Sequence, residues 1–447
     1  MKFSKYNLIF PSKKKDYYYL FNTFNGSCFE VDNVIAKSVE KYSMDDLKEE
    51  TKELFVLSGI IIPENKNEDN ILAYNQGHCK YSKLAYVSTV LLTQDCNLRC
   101  AYCSQGLEKG ERTMTMEQAD MYIGFTLESA EKSGAKSITI NLFGGEPLMN
   151  KEVGFYILEK IKFYCEENGV NFIASIVTNG TLLDMETIEK LHNLNCRLIQ
   201  ITLDGMKKVH DRRRMYVNGD GSFDEIINVL RLLNKKDDMF TAIRVNVDKT
   251  NIKETFDLLD YIGKNGEALT NCAVDFGIVR AEGVACSGYS NNCFVESEIG
   301  DLLYELWNYA EKQGFRCKVR LQRRYLFCGL YCENNYTVDP ELDVYKCWHH
   351  VGVKKHLMGR IDEHHRFVDQ TPAFFEWMTV DPFKNDDCKT CIYLPTCGGG
   401  CGAAAYEKAG SYHANGCVQV KGVVEKQVMK FVEDIMRDRS HKVEEVE

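Results

Sequence analysis

From residue 84 to about 315 the sequence alternates short apolar runs with amphipathic ones, and that alternation leaves few architectures open. Strand patterns fall at 85–93 (AYVSTVLLT), 137–143 (SITINLF), 172–178 (FIASIVT), 197–203 (RLIQITL), 241–247 (TAIRVNV) and 273–279 (AVDFGIV). Helical patterns near 115–133, 151–168, 184–194, 223–235 and 252–264 separate them. Strands this apolar must be buried on both faces, which means parallel strands under a cover of helices. Six units predict an α/β fold, a partial (β/α)6 TIM-like barrel. Barrels of this kind collect their functional groups at the C-terminal ends of the strands. Asp95 to Cys103, Gly144 to Pro147, Asn179-Gly180 and Asp204-Gly205 occupy those positions.

The flanks have other textures. Residues 1–75 read as a small separate α+β module: aromatic-rich strand candidates YNLIF and YYYLFNTF, then SCFEVD after Asn25-Gly26, then helical patterns at 33–42 and 44–58. The stretch ENKNEDN reads as an exposed linker. Residues 316–420 carry short polar segments, paired cysteines and the run Gly398 to Gly400. Such a segment has little regular core, and bound metal is its natural staple. Residues 421–447 hold a last amphipathic helix, about 419–438, and a tail, RSHKVEEVE, expected to fray.

Composition narrows the function classes. A net charge of −10 argues against a nucleic-acid partner. No run approaches eighteen apolar residues, so no membrane span is expected. MKFSKYNLIFPSKKKD breaks its apolar run at Pro11 and a lysine cluster, unlike a signal peptide. The expected address is cytoplasmic, where structural disulfides are disfavoured, so the 19 cysteines need another reason. Three fall at 96–103 and eight between 328 and 417; Cys28, Cys79, Cys165, Cys196, Cys272, Cys286, Cys293 and Cys317 are scattered and read mostly as small buried hydrophobes.

CNLRCAYC sets Cys96, Cys100 and Cys103 at C-x3-C-x2-C spacing just after the first barrel strand. Three thiolates aimed at one point match three corners of a [4Fe–4S] cube and leave its fourth iron open. Structural zinc would want four ligands, usually as paired knuckles, and no fourth Cys or His lies close in sequence. The motif, with an aromatic residue before its last cysteine, resembles the signature of the radical SAM superfamily, and the likeness runs over roughly 84–280. FGGEP (143–147) resembles that family's GGEP motif. The resemblance implies S-adenosylmethionine (SAM) as cofactor. Gly144 and Gly145 would let backbone approach the ligand, and Glu146 would accept hydrogen bonds from its amino group. By the same resemblance Tyr102 sits beside the adenine and Thr202 binds the ligand. Arg214, last of HDRRR, would reach the SAM carboxylate, a task that suits a planar fork; a solvated basic helix end is the alternative. Asn179 and Asp204 either contact the ligand or shape their loops.

The second module resembles the SPASM domain of many peptide-modifying radical SAM enzymes. The resemblance implies three [4Fe–4S] clusters in all, one binding SAM and two auxiliary. Cys328, Cys332, Cys347 and Cys401 would hold the first auxiliary cluster; Cys388, Cys391, Cys397 and Cys417 the second. Zinc sites are the alternative, because C-x2-C is a common zinc knuckle. Leu342 replaces a turn glycine usual in the family, and Cys328 and Cys332 are closely spaced, so the first auxiliary cluster could keep an open iron.

Two substrate branches follow from the resemblance. In anaerobic sulfatase-maturating enzymes an acidic base follows the third SPASM cysteine, but Trp348 follows Cys347 here and cannot take a proton. The N-terminal module looks like the winged-helix-like element that binds leader peptides by strand addition; a structural cap is the alternative. The favoured expectation is a maturase that forms a thioether or carbon–carbon crosslink in a ribosomally made precursor peptide. Its leader would bind residues 1–75, and flavodoxin or ferredoxin would donate electrons. Competing expectations are formylglycine formation, modification of a small molecule or nucleotide, and an electron-transfer or redox-sensing protein without SAM chemistry. His349 and His350 read as surface or structural residues, and no catalytic base is named.

Overall fold

The computed structural model describes residues 1–103, 112–280, 289–316, 321 and 323–444. Cys286 and Cys317 lie outside the described residues.

Three strands near the N-terminus, Asn7–Pro11 (β1), Tyr17–Asn22 (β2) and Cys28–Asp32 (β3), form an antiparallel sheet in that order. Helices Asn33–Glu40, Glu49–Leu57 and Glu68–Lys80 follow. The last of these begins inside the expected linker, of which Glu64 to Asn67 stay outside the helix. Asn67 caps it by accepting from the Asn70 N–H, and Leu72, Gln76 and Lys80 bury one face. Its polarity hid it from a periodicity argument. The module does not stand apart: Leu8, Phe10, Tyr19 and Phe21 share a core with Cys397, Val420, Val424 and Val428.

Six strands then alternate with helices: Ala85–Leu91 (β4), Ser137–Phe143 (β5), Asn171–Thr178 (β6), Cys196–Thr202 (β7), Phe240–Val247 (β8) and Ala273–Ile278 (β9). All neighbouring pairs are parallel. Helix starts follow capping chemistry. Thr115 and Gln118 form a reciprocal capping box before helix Met116–Ser133, and Asp184 caps Met185–Asn193 by accepting from the Thr187 N–H. Residues such as Ile138, Ile140, Ile176, Ile201 and Ile243 are buried between sheet and helices. Truncating one such isoleucine to alanine costs about 2–5 kcal/mol.

The sheet curls without closing. Among the described residues β9 ends it on one side. On the other, Asn335–Val338 (β10) pairs parallel to β4, and Asp343–Tyr345 (β11), Gly359–Ile361 (β12) and Phe367–Val368 (β13) continue antiparallel, giving ten strands. The segment after 316 therefore extends the barrel's own sheet, and Val338, Leu342 and Val344 belong to the barrel core. Leu342 keeps the left-handed turn expected of a glycine, with φ 67°, and is only 4% exposed. Its N–H donates to the Asp339 carbonyl at 3.0 Å, while Asp339 Oδ1 accepts from the N–H groups of Glu341 and Asp343. Burying the leucine, worth about 1.5–3 kcal/mol, offsets a left-handed cost of about 1–2 kcal/mol.

The last helix is Val423–Glu444, so it continues through most of the stretch expected to fray. No helix among the described residues is long and apolar enough to cross a membrane.

Candidate active site

The loop after β4 is built by short-range hydrogen bonds. The Asp95 N–H donates to Thr93 Oγ1 at 3.0 Å, and the Cys96 N–H to Asp95 Oδ1 at 2.7 Å. Leu98–Cys100 then pairs antiparallel with Arg214–Tyr216, which sets Cys100 opposite Arg214. The Ala101 N–H donates to the Arg213 carbonyl and the Cys103 N–H to the Cys100 carbonyl. Cys96 is buried, and its sulfur accepts from the Leu98 N–H at 3.4 Å and Asn179 Nδ2 at 3.9 Å. Burial pushes the Cys100 thiol up to about 11; Arg214 opposes this, while the nearby Cys103 and Cys96 add to it. The loop thus brings the three predicted cysteines together beside a buried cation.

The glycines after β5 pack against the cysteine loop. A Cβ on Gly144 would lie 2.4 Å from the Thr93 carbonyl oxygen, and one on Gly145 2.0 Å from that of Asp95. Their lack of side chains lets this loop lie against the cysteine loop itself, with the Gly145 and Glu146 N–H groups donating to those same oxygens at 2.9 Å. Glu146 is fully buried. Its Oε1 accepts from the Leu148 N–H and Thr178 Oγ1, and its Oε2 from the Asn179 N–H at 2.7 Å. Burial raises its pKa; the Asn179, Thr178 and Leu148 donors resist. Glu146 therefore ties together the loops after β5 and β6. Asn179 bridges further, with Nδ2 donating to Asn97 Oδ1 at 2.7 Å.

Three predicted residues, Tyr102, Asp204 and Arg214, meet beyond the ends of β7 and β8. Thr202 ends β7 in register with Arg244. The Tyr102 hydroxyl donates to Asp204 Oδ2 and accepts from Arg214 Nη1 at 2.8 Å and Asn246 Nδ2 at 3.1 Å. Asp204 is fully buried and also accepts from the Asn246 N–H. Tyr102 thus stands on a polar anchor, a role its aromatic character did not announce. HDRRR is no solvated helix end, because Arg213 and Arg214 are both buried. Sequence reasoning missed Arg213 and its partners. Its guanidinium lies 4.9 Å from the Tyr102 ring and donates to Asp248 Oδ2 at 2.7 Å, which Tyr289 also approaches at 2.8 Å. The repeated arginine was the available signal.

In the second cysteine module, Cys388, Cys391, Cys397 and Cys417 line a cavity of about 300 Å³. Gly398, Gly399 and Gly400 all adopt positive φ. A Cβ on Gly400 would meet the Gly416 carbonyl oxygen at 2.6 Å, and the Cys401 N–H donates to that oxygen, which draws Cys417 in. Burial pushes the Cys388 thiol up to about 11, and Cys417 and Cys391 add to the shift. Cys328, Cys347 and Cys401 surround the buried Tyr331, whose hydroxyl donates to the Gly400 carbonyl at 3.2 Å. Cys332 has its thiol 3.5 Å from the Cys79 carbonyl oxygen and is also near Cys328. Lys346 is buried with no carboxylate partner among the described residues; its ammonium donates to the carbonyls of Cys332, Glu333 and Asn335 at 2.8, 3.0 and 2.5 Å. Neither neighbour was foreseen. Among the described residues no three His, Cys, Asp or Glu side chains close to the spacing of a single metal ion.

Trp348, 39% exposed, lies with its ring 6.1 Å from that of Phe143, the residue before Gly144. His349 is solvent-accessible yet so closely surrounded that burial, with Arg280 nearby, pushes it down to about 4. His350 is buried and stacked on His356 at 3.7 Å.

An open parallel sheet under helices, with three grouped cysteines at the end of its first strand, defines a partial-barrel α/β fold with a candidate thiolate site. Residues 90–262 match the family model described as the radical SAM superfamily; the chain carries that domain. The cysteine-type anaerobic sulfatase-maturating enzyme of Clostridium novyi (strain NT) is 25% identical over 333 residues, 69% of this chain and 85% of the relative. Two solved structures share the fold. Native anSMEcpe with bound AdoMet matches with TM-score 0.59 and 18% identity, over 78% of this chain and 98% of that one. Streptococcus suis SuiB bound to precursor peptide SuiA matches with TM-score 0.53 and 16% identity, over 94% and 100%.

Proposed function

We propose that this enzyme matures a ribosomally made precursor peptide by radical chemistry, forming a thioether or carbon–carbon crosslink. The observation that carries the radical step is the loop of Cys96, Cys100 and Cys103, held beside Arg214 by strand pairing. These three thiols and the N–H donors to Cys96 fit a [4Fe–4S] cluster. When bound there with SAM, the cluster supplies the electron that splits SAM into methionine and a 5′-deoxyadenosyl radical.

The chain's own residues hold and orient. Arg214, buried next to Cys100, presents a guanidinium for the SAM carboxylate. Asp204 and Asn246 fix the Tyr102 hydroxyl, so its ring can border the adenine. Asn179 and Glu146 lock the surrounding loops and leave Gly144 and Gly145 backbone at the ligand's edge. The enclosing sheet excludes water from a reactive radical.

Cys388, Cys391, Cys397 and Cys417 suit one auxiliary cluster, and Cys328, Cys332, Cys347 and Cys401 the other. Such clusters supply an acceptor for the electron released when a peptide radical closes on a thiolate. The SuiB likeness supports a peptide substrate, and β3 offers a sheet edge for a leader strand. Flavodoxin or ferredoxin is the proposed electron donor.

A second reading, oxidation of cysteine or serine to formylglycine, is supported equally by the Clostridium novyi relative. Trp348 at the place of the acidic base speaks against it. The test is anaerobic coexpression with a short cysteine-rich open reading frame sought beside the gene, followed by mass spectrometry. A crosslinked peptide lacking two hydrogens supports maturation, and an aldehyde at a single residue supports the second reading. Reduced enzyme with SAM that yields no 5′-deoxyadenosine would sink both.

A further inference from the structure

Cys332 stands beside two buried cations. Helix Glu68–Lys80 ends against it: the Cys332 thiol meets the Cys79 carbonyl at 3.5 Å, and the Glu333 N–H donates to the Lys80 carbonyl at 2.8 Å. Lys346, the residue after β11, donates to the carbonyl of Cys332 itself at 2.8 Å. Both ammonium groups lie near enough to act on the Cys332 thiol.

Neither cation has a carboxylate of its own. Lys346 is fully buried, and the carbonyls of Cys332, Glu333 and Asn335 take up all three N–H groups of an ammonium. No N–H is left for any acid. Three acceptors also require the charged form, because a neutral amine has one donor fewer. Lys80 is buried too; it donates to the Val380 carbonyl at 2.8 Å and forms no ion pair among the described residues. Glu333, Asp381 and Lys384 act on the two lysines without closing an ion pair.

Burying a cation is costly unless an anion stands close. Two such charges beside one cysteine mark a place for an anion, and the thiols there suit it. Cys332 is near Cys328, Cys328 is near Cys401, and both of these border Tyr331 together with Cys347. Resting on the reading that Cys328, Cys332, Cys347 and Cys401 hold a [4Fe–4S] cluster, we infer that Lys80 and Lys346 are positioning residues that supply its counter-charge and favour its reduced form. A thiolate-bound cluster becomes one charge more negative when it takes up one electron, and neighbouring cations stabilise that state more than the oxidised one. The pair makes this cluster a ready acceptor.

The test is a dithionite titration of anaerobically loaded, full-length enzyme, poised with redox dyes and followed by electron paramagnetic resonance. Cys332→Ala identifies the signal of this cluster by altering it. In Lys80→Gln the ratio of reduced to oxidised cluster at fixed potential should fall at least tenfold, a midpoint about 59 mV lower for one electron. Iron content and the other midpoints should match the parent. Lys80→Arg keeps the charge and should titrate like the parent. Lys346→Met, which also frees three carbonyls, should lose that signal. A parental midpoint in Lys80→Gln, or an intact signal at the parental midpoint in Lys346→Met, overturns the role of the lysines alone. Should Lys80→Gln shed iron, retention by Lys80→Arg still assigns the role to charge. Equal loss or an equal shift in both assigns it to packing and overturns it. Loaded parent enzyme with no signal sensitive to Cys332→Ala sinks the cluster reading itself, and the counter-charge with it.

Discussion

Arg214 stands directly across a two-stranded ladder from Cys100, and its Nη1 reaches the Tyr102 hydroxyl at 2.8 Å. One residue thus touches both the cysteine loop and the aromatic side chain that precedes its last thiol. Replacing it should act on the cofactor rather than on the fold. Hydrogen bonds to charged groups contribute about 1.5–3 kcal/mol, so Arg214→Ala should slow formation of 5′-deoxyadenosine roughly 10- to 150-fold. Arg214→Lys should recover only part of this, because lysine lacks the planar fork. Chromatography of reduced enzyme with SAM measures both.

Leu342 makes a quantitative contrast available. Leu342→Gly removes the left-handed strain and the buried side chain together, whereas Leu342→Ala loses the side chain and keeps the strain. The glycine variant should therefore be about 1 kcal/mol more stable than the alanine variant. Urea midpoints compare them, and an alanine variant at least as stable would contradict this account of the turn.

Asp339 sets a pH dependence. It is fully buried, one carboxylate oxygen has no hydrogen-bond partner among the described residues, and burial with Asp343 nearby pushes its pKa up to about 7. The folded chain therefore holds a proton there that the unfolded chain releases near pH 3.8. Its contribution is fully present below that value and is lost as pH rises through about 7. Asp339→Asn, which keeps the Oδ1 acceptor, should flatten this decline. Unfolding free energies at pH 5 and pH 8 should diverge between variant and parent at the higher pH.

Lys346 organises the loop that presents Cys332 by binding three of its carbonyls. Lys346→Met leaves those acceptors without their buried cation and should cost the protein one cluster's worth of iron and sulfide. Cys417→Ala should cost the other auxiliary cluster. In both variants the SAM-dependent spectroscopic signature of the Cys96 loop should persist. Iron analysis and electron paramagnetic resonance after anaerobic loading check this.

The strand and helix pattern of 84–280 was readable because apolar runs of seven to nine residues repeat between amphipathic helices. The cysteine loop was readable because its spacing is local. What stayed hidden is non-local or polar. Helix Glu68–Lys80 starts in a charged stretch that mimics a linker, and the pairing of β10 with β4 joins residues some 250 apart. The buried partners of Arg213, and the meeting of Cys332 with Cys79, depend on that same long-range closure. Glycine chemistry was legible as need for close approach, but what Gly144 and Gly145 approach most closely is the neighbouring loop.

Because β10 is laid directly on β4, the hairpin that delivers Cys347 is stitched to the very strand that delivers Cys96. The downstream half is thus no detachable cassette. A chain cut before Asn335 would leave β4 with a bare flank, inviting foreign strands and aggregation. Any chimera that transplants these auxiliary cysteines onto another barrel must carry over the seam between the two strands as well.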